Sequence, residues 1–306
     1  MSELQPDAAS KPQSKSAVFF KRLLSFVVLW GIIVASLFSG NKTLSDYVFL
    51  VILALLAALG LIEFYGIVQR LHIFCFEKLG VIGGILLIVA TFIFISGRAD
   101  GVTLPQQVND FESCFLVMFV LSLCLRQFLS RTNTKGILAI GTTLFGFMYV
   151  PWLLNFIQKI NFYGQGVDGH YYLFYFILVT KFSDAGAYAV GSLIGRHKMI
   201  PRISPGKTWE GFAGAVVVST GASVIFAHLA GTHLKGMNLM HAIILGIILS
   251  STAVMGDLIE SLFKREAGLK DSGKLLPGIG GILDLLDSLL FNAPLMYLYL
   301  RHFLAQ

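Results

Sequence analysis

The chain has 306 residues, 56% of them hydrophobic and only 13% charged, with a formal net charge of +6 and a mean hydropathy of +0.76. A soluble domain is about 45–50% apolar and about 25% charged, so too little polar surface is present to coat a water-soluble body of this size. Eight prolines, three cysteines and 31 glycines without a triplet period exclude disordered, disulfide-knotted and collagenous chains. What remains is an all-α, polytopic integral membrane protein.

Residues 1–20 are polar, carry Pro6 and Pro12, and read as a flexible cytoplasmic tail. Lys21-Arg22 ahead of an apolar run has the flanks of a signal peptide, but the long preceding tail and eight further spans favour a retained first helix. A helix needs about 20 mostly apolar residues to cross the ~30 Å hydrocarbon core. Nine such stretches are expected, at about 23–40, 46–68, 79–96, 111–130, 136–155, 171–192, 211–231, 240–260 and 279–300. All are too long for strands of a membrane barrel. The chain divides into the tail, transmembrane helices 1–5 over 21–170, and helices 6–9 with their cytoplasmic loops over 171–306.

The basic residues set the orientation. With the N-terminus cytoplasmic, the inner segments hold 17 of the 23 Lys and Arg, among them Lys21, Arg22, Arg70, Lys78, Arg126, Arg196, Arg202, Lys207, Lys264 and Lys270. The outer segments hold five, and Lys181 lies inside a span. This bias follows the positive-inside rule; the expected location is the plasma (inner) membrane, crossed several times. The net positive charge is then mostly topology, and no nucleic-acid partner is expected. Cys75, Cys114 and Cys124 lack metal spacing and read as packing residues; none of the seven histidines has a partner at ligand spacing. Gly191 and Gly195 suit close helix contact.

Acidic residues inside spans are costly and mark cavities, partners or ions. They are Glu63, Asp184, Asp257, Glu260, Asp284 and Asp287. Under the orientation above, all six fall toward the cytoplasmic side, although more than 220 residues separate the first from the last. Asp284 and Asp287 share one helix face at i,i+3. Bare carboxylates that close repel, and a hard divalent cation with an incomplete protein shell, such as Mg²⁺, removes the repulsion. Asp257 is the expected third ligand. Glu63 and Glu260 lie close enough to helix ends to be solvated.

Two inner loops are dense in Lys and Arg mixed with Gly, Ser and Pro, at residues 195–211 and 261–278. Such loops let backbone and side-chain donors approach a phosphate, although plain positive-inside charge meeting anionic headgroups gives the same composition. Gly206-Lys207-Thr208 matches the tail of a phosphate-binding P-loop. The leading glycine is replaced by Pro201 and no strand is expected before it, so that reading is set aside.

Ser261, Lys264, Arg265, Lys270, Asp271, Ser272, Pro277, Gly278, Gly280, Gly281, Asp284, Asp287 and Ser288, in their spacing, closely resemble the signature of phosphatidate cytidylyltransferases, or CDP-diacylglycerol synthases. Asp184-Ala-Gly-Ala-Tyr188 and Arg202-Ile-Ser-Pro-Gly-Lys-Thr-Trp-Glu-Gly211 resemble its upstream blocks, and Gly256-Asp257-Leu258 with Glu260-Ser261 resembles the block that opens it. The resemblance covers about residues 180–290, and nine helices agree with its bacterial members. It implies transfer of the cytidylyl group of CTP to phosphatidic acid, giving CDP-diacylglycerol and pyrophosphate in phospholipid biosynthesis, by a homodimer with its site facing the cytoplasm. It implies Asp284, Asp287, Lys264 and Lys270 as catalytic residues and Mg²⁺ on Asp257, Asp284 and Asp287, with room for a second, monovalent cation. It implies Asp184, Arg202, Ser204, Lys207, Lys264, Arg265, Lys270 and Asp271 as substrate-binding residues. Two positions depart from the signature, which usually carries His where this chain has Ile279 and Arg where it has Leu285. Either a neighbouring basic residue compensates, or the chain is a catalytically weak or inactive paralogue. A membrane transporter is the other alternative, but it would spread its acids toward the midplane.

Overall fold

The computed structural model describes residues 31, 40–96, 105–130, 135–163, 168–273 and 280–304. The expected tail and first span, Ile279, and Lys274 to Gly278 of the second loop lie outside the described residues, apart from Gly31 and Gly40 of that span. Among the described residues the elements in order are α1 (Lys42–Arg70), α2 (Glu77–Ile95), α3 (Pro105–Phe128), α4 (Gly136–Phe147), α5 (Leu153–Asn161), α6 (Gly169–Ile194), strands β1 (Lys198–Ile200) and β2 (Ser204–Thr208), α7 (Trp209–Ala230), α8 (Leu239–Glu266) and α9 (Ile282–Tyr299). A π-helical turn at Met148–Trp152 joins α4 to α5, so the pair forms one continuous apolar stretch around Pro151. A proline lacks the amide that a regular turn needs there, and a π turn accommodates it. Among the described residues, eight helical stretches, counting α4–α5 as one, are long and apolar enough to cross a membrane. They correspond to the second through ninth expected spans.

Asn41, Thr208 and Asn238 cap α1, α7 and α8 through side-chain oxygens that accept from the third residue on. Lipid offers helices no hydrophobic reason to associate, so packing and interhelical hydrogen bonds hold them together. Tyr175 on α6 meets Ser223 on α7 at 2.6 Å, and Ser223 donates to the Ala242 carbonyl of α8 at 2.5 Å. Asn292 on α9 donates to Thr180 of α6 at 2.9 Å and to the Leu249 carbonyl of α8 at 2.9 Å. These bonds make α6–α9 one unit. Gly191 does serve close contact, as expected: a Cβ there would lie 3.3 Å from the Thr208 hydroxyl at the start of α7.

Two findings alter the sequence reading. The loop between α6 and α7 is an antiparallel hairpin, with Lys198 opposite Thr208 and Ile200 opposite Ser204 across an irregular register. Gly206-Lys207-Thr208 therefore lies in a strand that runs straight into a helix, although the ribbon is short and Pro201 still stands where a P-loop has glycine. The second finding is Glu112. It lies within the expected fourth span but toward the opposite end of the bundle from the other six acids. Glu112 forms a buried ion pair with Lys159 of α5 and accepts from Asn155 at 2.8 Å. The Lys159 ammonium also lies 4.5 Å from the Phe156 ring centroid. Removing one partner of a buried pair strands the other charge, which costs about 3–5 kcal/mol. Lys159→Met is therefore expected to destabilise the bundle by about 3 kcal/mol, read as a lower unfolding midpoint of the purified protein in nanodiscs.

Candidate active site

Helices α6–α9 and both strands of the hairpin converge at one end of the bundle. α6 brings Asp184, β2 brings Ser204 and Lys207, α8 brings Asp257 and Lys264, and α9 brings Asp284 and Asp287; with the first turn of α7 they line a cavity of about 580 Å³. The base of the hairpin is fastened to α7. Glu210 on α7 accepts from the backbone amides of Arg196 at 3.1 Å and His197 at 3.2 Å, and meets the His197 ring at 2.5 Å.

Asp257 and Asp287 line the cavity and Glu260 lies behind them, with carboxylate oxygens of all three within 4.8 Å of one another. Glu260 is fully buried and Asp287 nearly so. Glu260 has an Oε1 with no hydrogen-bond partner, and its Oε2 has only the Lys264 ammonium at 2.5 Å, outside hydrogen-bond geometry. Unsatisfied carboxylate oxygen at that depth is costly unless it binds a cation. Three hard oxygen donors, one of them orphaned, fit a small divalent ion that keeps waters or phosphate oxygens as its remaining ligands.

Asp284 differs from the expectation. Its Oδ1 meets Lys264 Nζ at 2.5 Å. Its Oδ2 accepts from the Ser272 hydroxyl at 2.9 Å, the Ser272 amide at 3.2 Å and the Gly281 amide at 2.8 Å. Both oxygens are thus taken by a lysine and by the backbone at the start of α9. The cluster expected as Asp257, Asp284 and Asp287 is here Asp257, Glu260 and Asp287, with Asp284 one step outward on Lys264. The physical reason is position: Asp284 is the third residue of α9, where a carboxylate caps the free amides of the first turn.

Other expected residues divide the same way. Lys207 reaches Asp257 at 2.8 Å and donates to the Val254 carbonyl at 3.2 Å. Arg202, Lys270 and Asp271 are exposed on the loops outside the cavity lining, and Arg265 donates to the carbonyls of Ile203 and Leu269. Lys181, not singled out as a site residue beforehand, reaches Asp184 at 3.3 Å. Glu63 is buried, not solvated: it accepts from the amides of Ile282 at 3.0 Å and Leu283 at 2.8 Å and from the Ser272 hydroxyl at 3.1 Å. The i,i+3 and i,i+4 spacings of Glu260 to Asp257 and Lys264 were the available signal for Glu260. No local pattern announces Glu63.

The fold and site define a polytopic membrane protein with an acidic, lysine-lined pocket suited to a cation and to phosphate groups. Comparison with known proteins makes the class specific: the cytidylyltransferase family model matches residues 20–303, and the chain belongs to that family. It is 35% identical over 205 residues to the phosphatidate cytidylyltransferase of Staphylococcus haemolyticus, a match over 62% of this chain and 78% of that protein. Against the enzyme of the same name from Bacillus subtilis the identity is 32% over 264 residues, covering 84% and 93% of the two chains. The uncharacterized protein YnbB of Escherichia coli is 37% identical over 160 residues, about half of each chain at 52% and 51%.

Proposed function

We propose that this protein transfers the cytidylyl group of CTP to phosphatidic acid, releasing pyrophosphate and leaving CDP-diacylglycerol in the membrane. The observation that carries the reading is the meeting of Asp257 and Asp287, backed by Glu260, with Lys207 and Lys264 at one cavity, in a chain of the cytidylyltransferase family.

A phosphate oxygen of the lipid attacks the α-phosphorus of CTP, one P–O bond forms, and the bond from the α-phosphorus to the bridging oxygen breaks. The attacking monoester has a second pKa near ~6 and is already mostly dianionic at neutral pH, so no side chain need remove a proton. The task left to the protein is to bring two polyanions together and hold the charge that develops. Lys207 and Lys264 are placed to exchange the carboxylates they now hold for phosphate oxygens, and the first turn of α7 lines the same cavity at Gly211 and Phe212. Asp257, Glu260 and Asp287 would hold Mg²⁺, which when bound screens the phosphates and stabilises departing pyrophosphate. The bias of Lys and Arg supports a cytoplasmic opening, where CTP is available and the lipid phosphate lies at the inner headgroup level. The same reading takes the protein as a homodimer, a state that mass photometry in nanodiscs tests.

The reading is tested with purified protein, vesicles containing phosphatidic acid, Mg²⁺ and CTP labelled in the cytidine. Label is expected in lipid with stoichiometric pyrophosphate, and chelation of the metal is expected to abolish both. Label staying wholly in the aqueous phase, from protein that remains folded, would sink the proposal.

A further inference from the structure

Lys181 is the thirteenth of the 26 residues of α6, midway along an apolar span. An ammonium there is disfavoured unless it has partners. It has three, none of them close. Its Nζ donates to the Leu285 carbonyl at 3.1 Å, to the Ser288 hydroxyl at 3.3 Å and to Asp184 Oδ2 at 3.3 Å. Ser288, fully buried on α9, also donates to Asp184 Oδ2 at 3.3 Å. Lys207, by contrast, sits 2.8 Å from one oxygen of Asp257, and Lys264 sits 2.5 Å from an oxygen of each of Glu260 and Asp284. Lys181 is thus shared between its own helix and α9, and it lies beside Asp184, which lines the pocket.

Formal charge gives this placement a consequence. Five acids, Asp184, Asp257, Glu260, Asp284 and Asp287, face three lysines, Lys181, Lys207 and Lys264. The excess is two negative charges, which one divalent cation balances. Without Lys181 the excess is three. Position 285 is apolar in this chain, and it is the Leu285 backbone that receives the Lys181 ammonium. The positive charge missing from the side chain at that turn of α9 arrives from α6 instead.

We propose that Lys181 is a positioning residue of this site: it ties Asp184 and Ser288 to α9 and sets the charge of the acidic pocket to that of one divalent cation. The proposal rests on the cytidylyltransfer reading for its effect on turnover, but not for its effect on cation binding.

Both are measured on the full chain in nanodiscs. Mn²⁺ binding is followed by electron paramagnetic resonance, turnover by the CTP assay, and folding by the thermal midpoint. Lys181→Met is expected to bind Mn²⁺ about 3- to 10-fold more tightly, because a nearby repelling charge is gone, while kcat falls about 10²-fold and the KM for CTP moves less than about 3-fold. Lys181→Arg is expected to stay within about 5-fold of wild type in both. Lys181→Met combined with Leu285→Arg is expected to regain at least about 10-fold in kcat over Lys181→Met alone, since the charge returns to the same turn of α9. A purely structural lysine would weaken Mn²⁺ binding along with folding. Unchanged or weaker Mn²⁺ binding in Lys181→Met overturns the proposal, and so does a folded double variant that regains nothing. A wild-type protein that binds Mn²⁺ but makes no CDP-lipid would defeat the cytidylyltransfer reading alone, and the Mn²⁺ shift would still decide the role of Lys181.

Discussion

Asp287→Asn is expected to lower metal-dependent formation of CDP-lipid by about 10³-fold, the largest loss from any single change in the cavity. Asp287 is almost fully buried, and its carboxylate lies within 4.8 Å of oxygens of both Asp257 and Glu260. The amide has nearly the same shape, so helix packing is preserved while a charged donor to the cation is lost. What remains, Asp257 and Glu260, keeps two hard oxygens, and Mn²⁺ affinity is expected to fall about 10- to 100-fold. The check is to raise Mg²⁺ in the CTP assay. If saturating metal restores wild-type turnover, Asp287 serves only affinity. If turnover stays low at saturation, as expected, it shapes the bound state from which transfer occurs. An Asp287→Asn protein with wild-type turnover at ordinary Mg²⁺ would remove Asp287 from the site.

How much of this was legible beforehand follows from the range of each interaction. A span announces itself by composition over 20 residues, and each expected helix from the second to the ninth has its counterpart among the described helices. Caps such as Thr208 are equally local. The hairpin at 198–208 is local too, but it is exposed and rich in Gly and Pro, so it lacks the alternating burial that marks a strand. Within the site, the helical spacing of Asp284 and Asp287 correctly placed them near one another, but spacing does not reveal what each oxygen already holds. Asp284 lies in the first turn of α9, where amides compete for its carboxylate. Glu260 gained its place in the cluster only through the crossing of α8 and α9. Glu112 shows the converse: an intramembrane acid whose partner, Lys159, explains it by structure alone. Leu285 and Lys181 meet across more than a hundred residues of chain, and an apolar side chain at 285 gave no hint that its carbonyl would receive a lysine.

Glu63 gives the second large effect, and it assigns a task to the first described helix. The first amides of α9 have no partners within their own helix. Asp284 takes that of Gly281, and Glu63, reaching from α1, takes those of Ile282 and Leu283 together with the hydroxyl of Ser272. One carboxylate therefore fastens both ends of the segment 272–283 and fixes the start of the helix that carries Asp284 and Asp287. The backbone is built around it. Gly280 has φ +114°, a conformation that side chains rarely adopt, and a Cβ on Gly281 would come within 2.6 Å of the Gly273 amide nitrogen. Glu63→Ala leaves the buried amides of Ile282 and Leu283 unsatisfied at about 1–3 kcal/mol each, while the Ser272 hydroxyl keeps Asp284, so a loss of about 3 kcal/mol in stability and about 10²-fold in turnover is expected. Glu63→Gln keeps one accepting oxygen and is expected to lose less of both. Hydrogen exchange separates this role from general destabilisation: residues 280–284 should exchange faster in Glu63→Ala while α6 and α7 keep their protection. Uniformly faster exchange would mean that Glu63 merely stabilises the bundle, and wild-type exchange with wild-type turnover would mean that the start of α9 holds its shape without it.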